Sequence, residues 1–242
     1  MVNSEKDIMS QKIVLITGGS KGIGYGIAES LLKSGYKVAI TSRTIDGANE
    51  AASKLVEFGD ILAIEADVKD FASQQEAVNL IVEKWGRLDV LIANAGVGHF
   101  APIDEIGIAE WNEIIDTNLT GVFYSIKATV EEIKKNQGYI FTISSLAGTN
   151  FFAGGSAYNA SKFGLTGFTQ SVMLDLRKYG VKVSTIMPGS VASHFNEHSP
   201  NEQDDAWKIQ PEDMGKLVVD LLAMPARTLP SKIEIRPTTP KG

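Results

Sequence analysis

The chain has 242 residues, 43% of them hydrophobic and 21% charged, with 23 glycines, no cysteine and a formal net charge of −6. That length buries a sizeable core as one large α/β unit or two small ones, and the lack of cysteine excludes disulfides, thiolate nucleophiles, Cys-ligated zinc and iron–sulfur clusters. The mildly acidic balance gives no footprint for nucleic acid or an anionic membrane, yet it does not exclude an anion held by backbone N–H groups.

In chain order, residues 1–11 are polar and lack the apolar core of a signal peptide. No apolar run approaches the roughly 18 residues of a membrane span, so a cytoplasmic protein is expected. Apolar runs at 12–17, 37–42, 61–65, 88–93, 139–144, 181–187 and 232–236 alternate with helix-like stretches at 22–34, 46–58, 70–85, 108–135, 156–179 and 211–223. The first six runs are mostly continuous, as in parallel strands buried on both faces. The alternation predicts a single-domain, Rossmann-like, doubly wound α/β sheet of about seven strands over 1–242, with helices on both faces. Residues 1–11 and 237–242 read as flexible ends. The polar, irregular stretch 190–210 reads as a mobile substrate lid.

Strand one runs into Thr17-Gly18-Gly19-Ser20-Lys21-Gly22-Ile23-Gly24. Such glycines let the backbone turn sharply against a pyrophosphate, and the helix that follows offers unpaired N–H donors. Gly18, Ser20, Lys21, Gly22, Ile23 and Gly24 are therefore cofactor candidates. Strand two ends Thr41-Ser42-Arg43 without the carboxylate that holds an NAD ribose. Arg43 and Lys21 could bracket a 2′-phosphate, with Ser42 as a neutral donor, while Asp46 reads as a helix N-cap. Strand four ends Asn94-Ala95-Gly96 beside strand one, where doubly wound sheets bind ligands. Asn94 would brace the sheet end and Gly96 leave room for a ribose.

Tyr158 and Lys162 stand at i, i+4 and share a helix face. A phenol near pKa 10 is a sluggish acid–base catalyst, and a neighbouring ammonium would bring it down. Strand five ends Ser144-Ser145, thirteen residues before Tyr158 for the second serine. A glycine-bearing loop could return Ser145 to the same edge, where it could hydrogen-bond a substrate oxygen. His194 and His198 have H-x-x-x-H spacing without an H-E-x-x-H core or a third ligand, so no metal is expected. They read as lid residues, with Phe195 and Trp207 as apolar contacts. His99, Trp85 and Trp111 read as packing, interface or surface residues.

With these motifs the chain resembles the short-chain dehydrogenase/reductase family over about residues 12–236. The resemblance implies hydride transfer between NADP(H) and a small-molecule carbonyl or secondary alcohol. It implies that Tyr158 is the general acid/base and that Lys162 lowers its pKa and holds the nicotinamide ribose. Ser145, in preference to Ser144, would orient the carbonyl. Asn118, in Asp116-Thr117-Asn118-Leu119-Thr120-Gly121, would hold a water that links the lysine to solvent. A basic residue before the second loop glycine with an Arg after strand two implies NADP preference. Asp67 and Val68 would be the adenine-binding pair. Pro188, Gly189 and Val191 would lie against the nicotinamide, with Ser193 where a threonine is commoner. A homodimer or homotetramer paired through 108–135 and 156–179 is also implied. The end of the chain lacks the V-D-G-G-type segment of typical 3-oxoacyl-carrier-protein reductases and looks more like short-tailed, NADP-linked carbonyl reductases. The rival reading is a non-catalytic NADP-binding sensor, which would have no need of Ser145, Tyr158, Lys162 and Asn118 together.

Overall fold

The computed structural model describes residues 12–197 and 199–239. The expected flexible end at 1–11, His198, and residues 240–242 lie outside them. Seven strands form one sheet: β1 (Ile13–Ile16), β2 (Lys37–Ser42), β3 (Ile61–Glu65), β4 (Val90–Ala93), β5 (Tyr139–Ile143), β6 (Lys182–Pro188) and β7 (Lys232–Ile235). Their order is β3-β2-β1-β4-β5-β6-β7, and every neighbouring pair is parallel.

Both faces of this sheet are covered, which is why the strand sequences are apolar almost throughout. On one side Val14 and Ile16 pack with helices α1 (Gly22–Lys33), α2 (Ile45–Leu55) and, late in the chain, residues 211–222. On the other side Ile13 and Leu15 pack with α3 (Phe71–Trp85) and residues of 121–135 and 156–176. In the inner strands the period of two survives as this division between two cores, while the edge strand β7 alternates exposed Lys232 and Glu234 with half-buried Ile233 and Ile235.

Local chemistry sets the helix ends. Thr44, not Asp46, caps α2: its hydroxyl accepts from Gly47 N at 3.3 Å. Asp46 sits inside the first turn, where its charge complements the helix dipole. The expected continuous helix 108–135 is interrupted. It consists of α4 (Ile108–Ile115), a π-helical turn (Asp116–Thr120) and α5 (Gly121–Lys135). The widened turn places Asn118 in full burial; such π-bulges occur often at functional sites. Helix α6 (Ser156–Leu176) follows β5, and a short α7 (Glu202–Asp205) and α8 (Pro211–Leu222) precede β7.

The expected lid is more ordered than its composition suggests. Val191 and Ile209 form a parallel bridge, in which Ala192 N donates to Ile209 O at 2.9 Å and Ile209 N to Ser190 O at 3.0 Å. Beyond it, α8 lies tightly on α1: a Cβ on Gly26 would come 2.6 Å from Pro211 Cβ, and one on Gly215 would come 2.5 Å from Gly26 O. The far end of the 190–210 stretch is thus anchored to the helix that leaves the glycine loop. Part of the expected frayed end is packed as well. A Cβ on Gly189 would lie 3.1 Å from Pro237 Cδ. No helix among the described residues is long and apolar enough to cross a membrane.

Candidate active site

Because β1 and β4 are neighbours while β2 and β3 lie to one side, the loops after β1 and β4 diverge and open a crevice. Two side chains tie its edges. The Thr17 hydroxyl accepts from Asn94 N at 3.1 Å and Ala95 N at 3.2 Å. Asn94 Nδ2 donates to Thr17 O at 2.9 Å and Gly18 O at 3.0 Å. Gly18 turns the chain at φ +64, a conformation that favours glycine. No side chain caps α1 and no acid stands in its first turn, so its N-terminus suits an anion. Gly24 lies beneath the loop, where a Cβ would meet Gly18 O at 2.5 Å and Asn94 Nδ2 at 2.6 Å.

From this loop a cleft of about 1830 Å³ runs to the other strand ends. Its wall includes Gly18, Ser20, Lys21, Gly22 and Ile23 from the loop, Ser42 and Arg43 after β2, and Asp67 and Val68 after β3. It continues through Asn94, Ala95, Gly96, Ser145, Tyr158 and Lys162 to Pro188, Gly189, Val191 and Ser193. The size exceeds what a single drug-sized ligand fills, and the uncapped helix and close-packed glycines fit a dinucleotide. Asn118 stands behind the wall: its Nδ2 donates to Val97 O at 2.9 Å and Ser161 Oγ at 3.2 Å, and its Oδ1 accepts from Val97 N at 2.8 Å.

Ser145 and Tyr158 both line the cleft, where the Ser145 side chain works against the upward shift of the Tyr158 phenol. Ser144 faces away, its Oγ bonded to Lys162 O at 3.3 Å and Thr166 Oγ1 at 3.0 Å. Asn159 fastens the serine-bearing loop to α6 by donating to Ala147 O at 2.7 Å and Asn150 O at 2.8 Å. Lys162 donates to Ile143 O at 3.0 Å, with its Nζ 5.7 Å from the centre of the Tyr158 ring. Burial pushes the Tyr158 phenol up to about 12, against the smaller opposing effect of Ser145. Burial also pulls Lys162 down to about 8. The sequence suggests an ammonium that acidifies the phenol; in the folded protein desolvation of both groups outweighs that attraction.

The lysine shift makes a stability prediction. A buried base with depressed pKa penalises the folded state while it is charged; between pH 8 and 10 the unfolded chain keeps the proton that the folded chain has lost, so stability rises with pH. The fall from 10.5 to about 8, at ~1.4 kcal/mol per unit, corresponds to about 3 kcal/mol in all. Between pH 7.5 and 9.5 the wild type should gain about 2 kcal/mol relative to Lys162→Met in urea unfolding. Parallel pH dependence in both proteins would contradict the assigned burial.

His99 lies in the cleft wall, bonded to Glu113 Oε2 at 3.0 Å. His194 is an exposed wall residue. No group of three or more metal-binding side chains is present among the described residues. Trp85 donates to Asp60 Oδ2 at 3.1 Å, and Trp111 is partly exposed on α4.

The family model of short chain dehydrogenases matches residues 12–204. The chain belongs to the short-chain dehydrogenase family. An uncharacterized oxidoreductase of Bacillus subtilis, YxjF, is 38% identical over 76% of this chain and 72% of its own length. The sepiapterin reductase of Chlorobaculum tepidum is 31% identical over 94% of this chain and 96% of that one. An alcohol dehydrogenase from Thermococcus sibiricus, solved with 5-hydroxy-NADP, superposes with a TM-score of 0.90 at 26% identity, covering 96% and 98% of the two chains. As a short-chain dehydrogenase, the protein is a Rossmann-type, nucleotide-binding oxidoreductase.

Sequence reasoning assigned no role to Thr17, Asn159, Phe100 or Phe152. The first two stand inside the T-G and Y-x-x-x-K motifs, so proximity to a motif was their signal. Phe100 and Phe152 lie in irregular segments, where no periodicity marks an inward face.

Proposed function

We propose that the protein reduces a small-molecule ketone, or oxidises the matching secondary alcohol, with NADP(H) and with Tyr158 as the proton carrier. The carrying observation is that Ser145, Tyr158 and Lys162 line one cleft with the uncapped N-terminus of α1, Lys162 Nζ lying 5.7 Å from the centre of the Tyr158 ring. When bound, the nicotinamide supplies or accepts the hydride.

The protein's own groups do the remainder. Ser145 holds the carbonyl oxygen by an oxyanion-type hydrogen bond. The Tyr158 phenol, protonated at neutral pH and held there more firmly by burial, which pushes it up to about 12, gives its proton to that oxygen as charge develops. Lys162 would hold the ribose hydroxyls of the bound cofactor by donated hydrogen bonds. Gly96 leaves that approach open: a Cβ there would sit 3.7 Å from Lys162 Nζ. Asn118 is a positioning residue that fixes Val97 and the π turn behind the lysine, and the water relay implied by its motif belongs there. Exposed Phe123, Phe163 and Leu174 on α5 and α6 support pairing of copies through these helices.

Lys21 and Arg43, both exposed in the cleft wall, provide the charge for a 2′-phosphate. The 5-hydroxy-NADP bound to the Thermococcus enzyme supports that choice. Loss of NADPH absorbance with a panel of ketones tests the reaction; no consumption with any ketone overturns it. For the cofactor, Arg43→Ala should raise the KM for NADPH about tenfold and that for NADH by less than about twofold. An equal effect on both would place the phosphate elsewhere.

A further inference from the structure

We infer that the substrate is an uncharged ketone carrying an aromatic or similarly flat apolar ring beside the carbonyl; this rests on the oxidoreductase reading above. Phe100 meets the Tyr158 ring edge-on at 5.4 Å and 83°, and Phe152 extends the row at 5.6 Å from Phe100. From the lid, Phe195 closes on the same tyrosine at 5.5 Å and lies 6.3 Å from Phe100. The catalytic hydroxyl therefore stands at the end of an aromatic wall, with each ring contributed by a different loop.

This wall is built to face a ligand. Phe100 and Phe152 are 42% and 48% exposed although they touch one another, and both line the cleft. Open apolar area inside a cleft beside convergent polar groups belongs to a ligand. Gly98 makes the lid contact possible: a Cβ there would lie 2.6 Å from Phe195 Cε1. Aromatic faces at these spacings reward offset or edge-on contact with another ring and do little for a short alkyl group.

Charge argues against an anionic substrate. Glu110 and Glu113 stand in the same wall. Of the other charged wall residues, Lys208 pairs with Asp205 at 2.6 Å and Arg236 with Glu234 at 2.9 Å, while His99 is hydrogen-bonded to Glu113 at 3.0 Å and Lys21 and Arg43 belong to the loops after β1 and β2. With the cofactor holding Lys21 and Arg43, the phosphates of a coenzyme A thioester would meet the carboxylates of Glu110 and Glu113.

The test uses the full chain with NADPH and three probes: acetophenone, acetone and acetoacetyl-coenzyme A. We expect kcat/KM for acetophenone to exceed each of the others by at least about thirtyfold. Phe195→Ala and Phe152→Ala should each lower the acetophenone-to-acetone ratio at least about tenfold, with Phe195→Leu recovering part of it. A binding arm separates pocket from chemistry. Acetophenone should bind the NADPH-loaded Tyr158→Phe protein in calorimetry, and at least about fivefold more weakly once Phe195→Ala is added. Turnover that favours acetone or the thioester, or no acetophenone binding, overturns the ring inference. Binding of acetophenone, weakened by Phe195→Ala, with no turnover of any ketone supports the pocket and overturns the oxidoreductase reading.

Discussion

Tyr158→Phe is expected to slow carbonyl reduction by about 10²–10⁴, the range lost with a positioned general acid. The substitution removes one oxygen and keeps the ring, so the contacts with Phe100 and Phe195 persist. Ser145 also keeps its own place, because its Oγ still accepts from Ala147 N at 3.1 Å. Stability should change by less than about 1 kcal/mol, since the ring packing is conserved and Ser145 lines the open cleft. Single-turnover kinetics with saturating NADPH would read the chemical step, and calorimetry should show a cofactor Kd within about threefold of wild type, since uniform binding is untouched. Retention of more than about a tenth of the wild-type rate would remove Tyr158 from the proton-transfer step.

Gly24→Ala should abolish cofactor binding by a different route. The added Cβ would lie 2.5 Å from Gly18 O, 2.6 Å from Asn94 Nδ2 and 3.0 Å from Gly19 Cα. These are backbone atoms and a side chain fixed by two donated bonds, so nothing flexible yields. Relief requires the loop to lift from α1, which breaks the Asn94 clasp between the ends of β1 and β4. A loss of about 2–3 kcal/mol in stability is expected from the overpacking. NADPH affinity should fall at least about a hundredfold, because loop and helix N-terminus no longer converge on one phosphate. Calorimetric titration and urea unfolding of the same preparation separate the two effects. A variant that binds NADPH within about threefold of wild type would show that the loop is not the phosphate cradle.

Much of the architecture was legible because buried parallel strands are apolar on both faces. Runs such as 12–17 and 139–144 stand out whatever side each residue points to, and β1 and β5 lie inside them. Helix periodicity put Tyr158 and Lys162 on one face, and both do line one cleft. The π turn was hidden, since 108–135 reads as unbroken helix and its interruption depends on contacts far away: Asn118 with Val97, and Gly121 pressed against Val68. The choice of Thr44 over Asp46 as cap was hidden too, because both are good cap residues one turn-step apart.

By itself the sequence determined the element order, the glycine loop with Lys21, the single Arg43 after β2 and the Tyr–Lys pair, all of which follow from spacing along one chain. Only the tertiary structure decided what ties the Ser144 hydroxyl down on α6, which rings surround Tyr158, and that burial holds the phenol up and the lysine down. The reason is that desolvation and side-chain encounter are set by segments far apart in the chain, and no local pattern records what another loop will bring alongside.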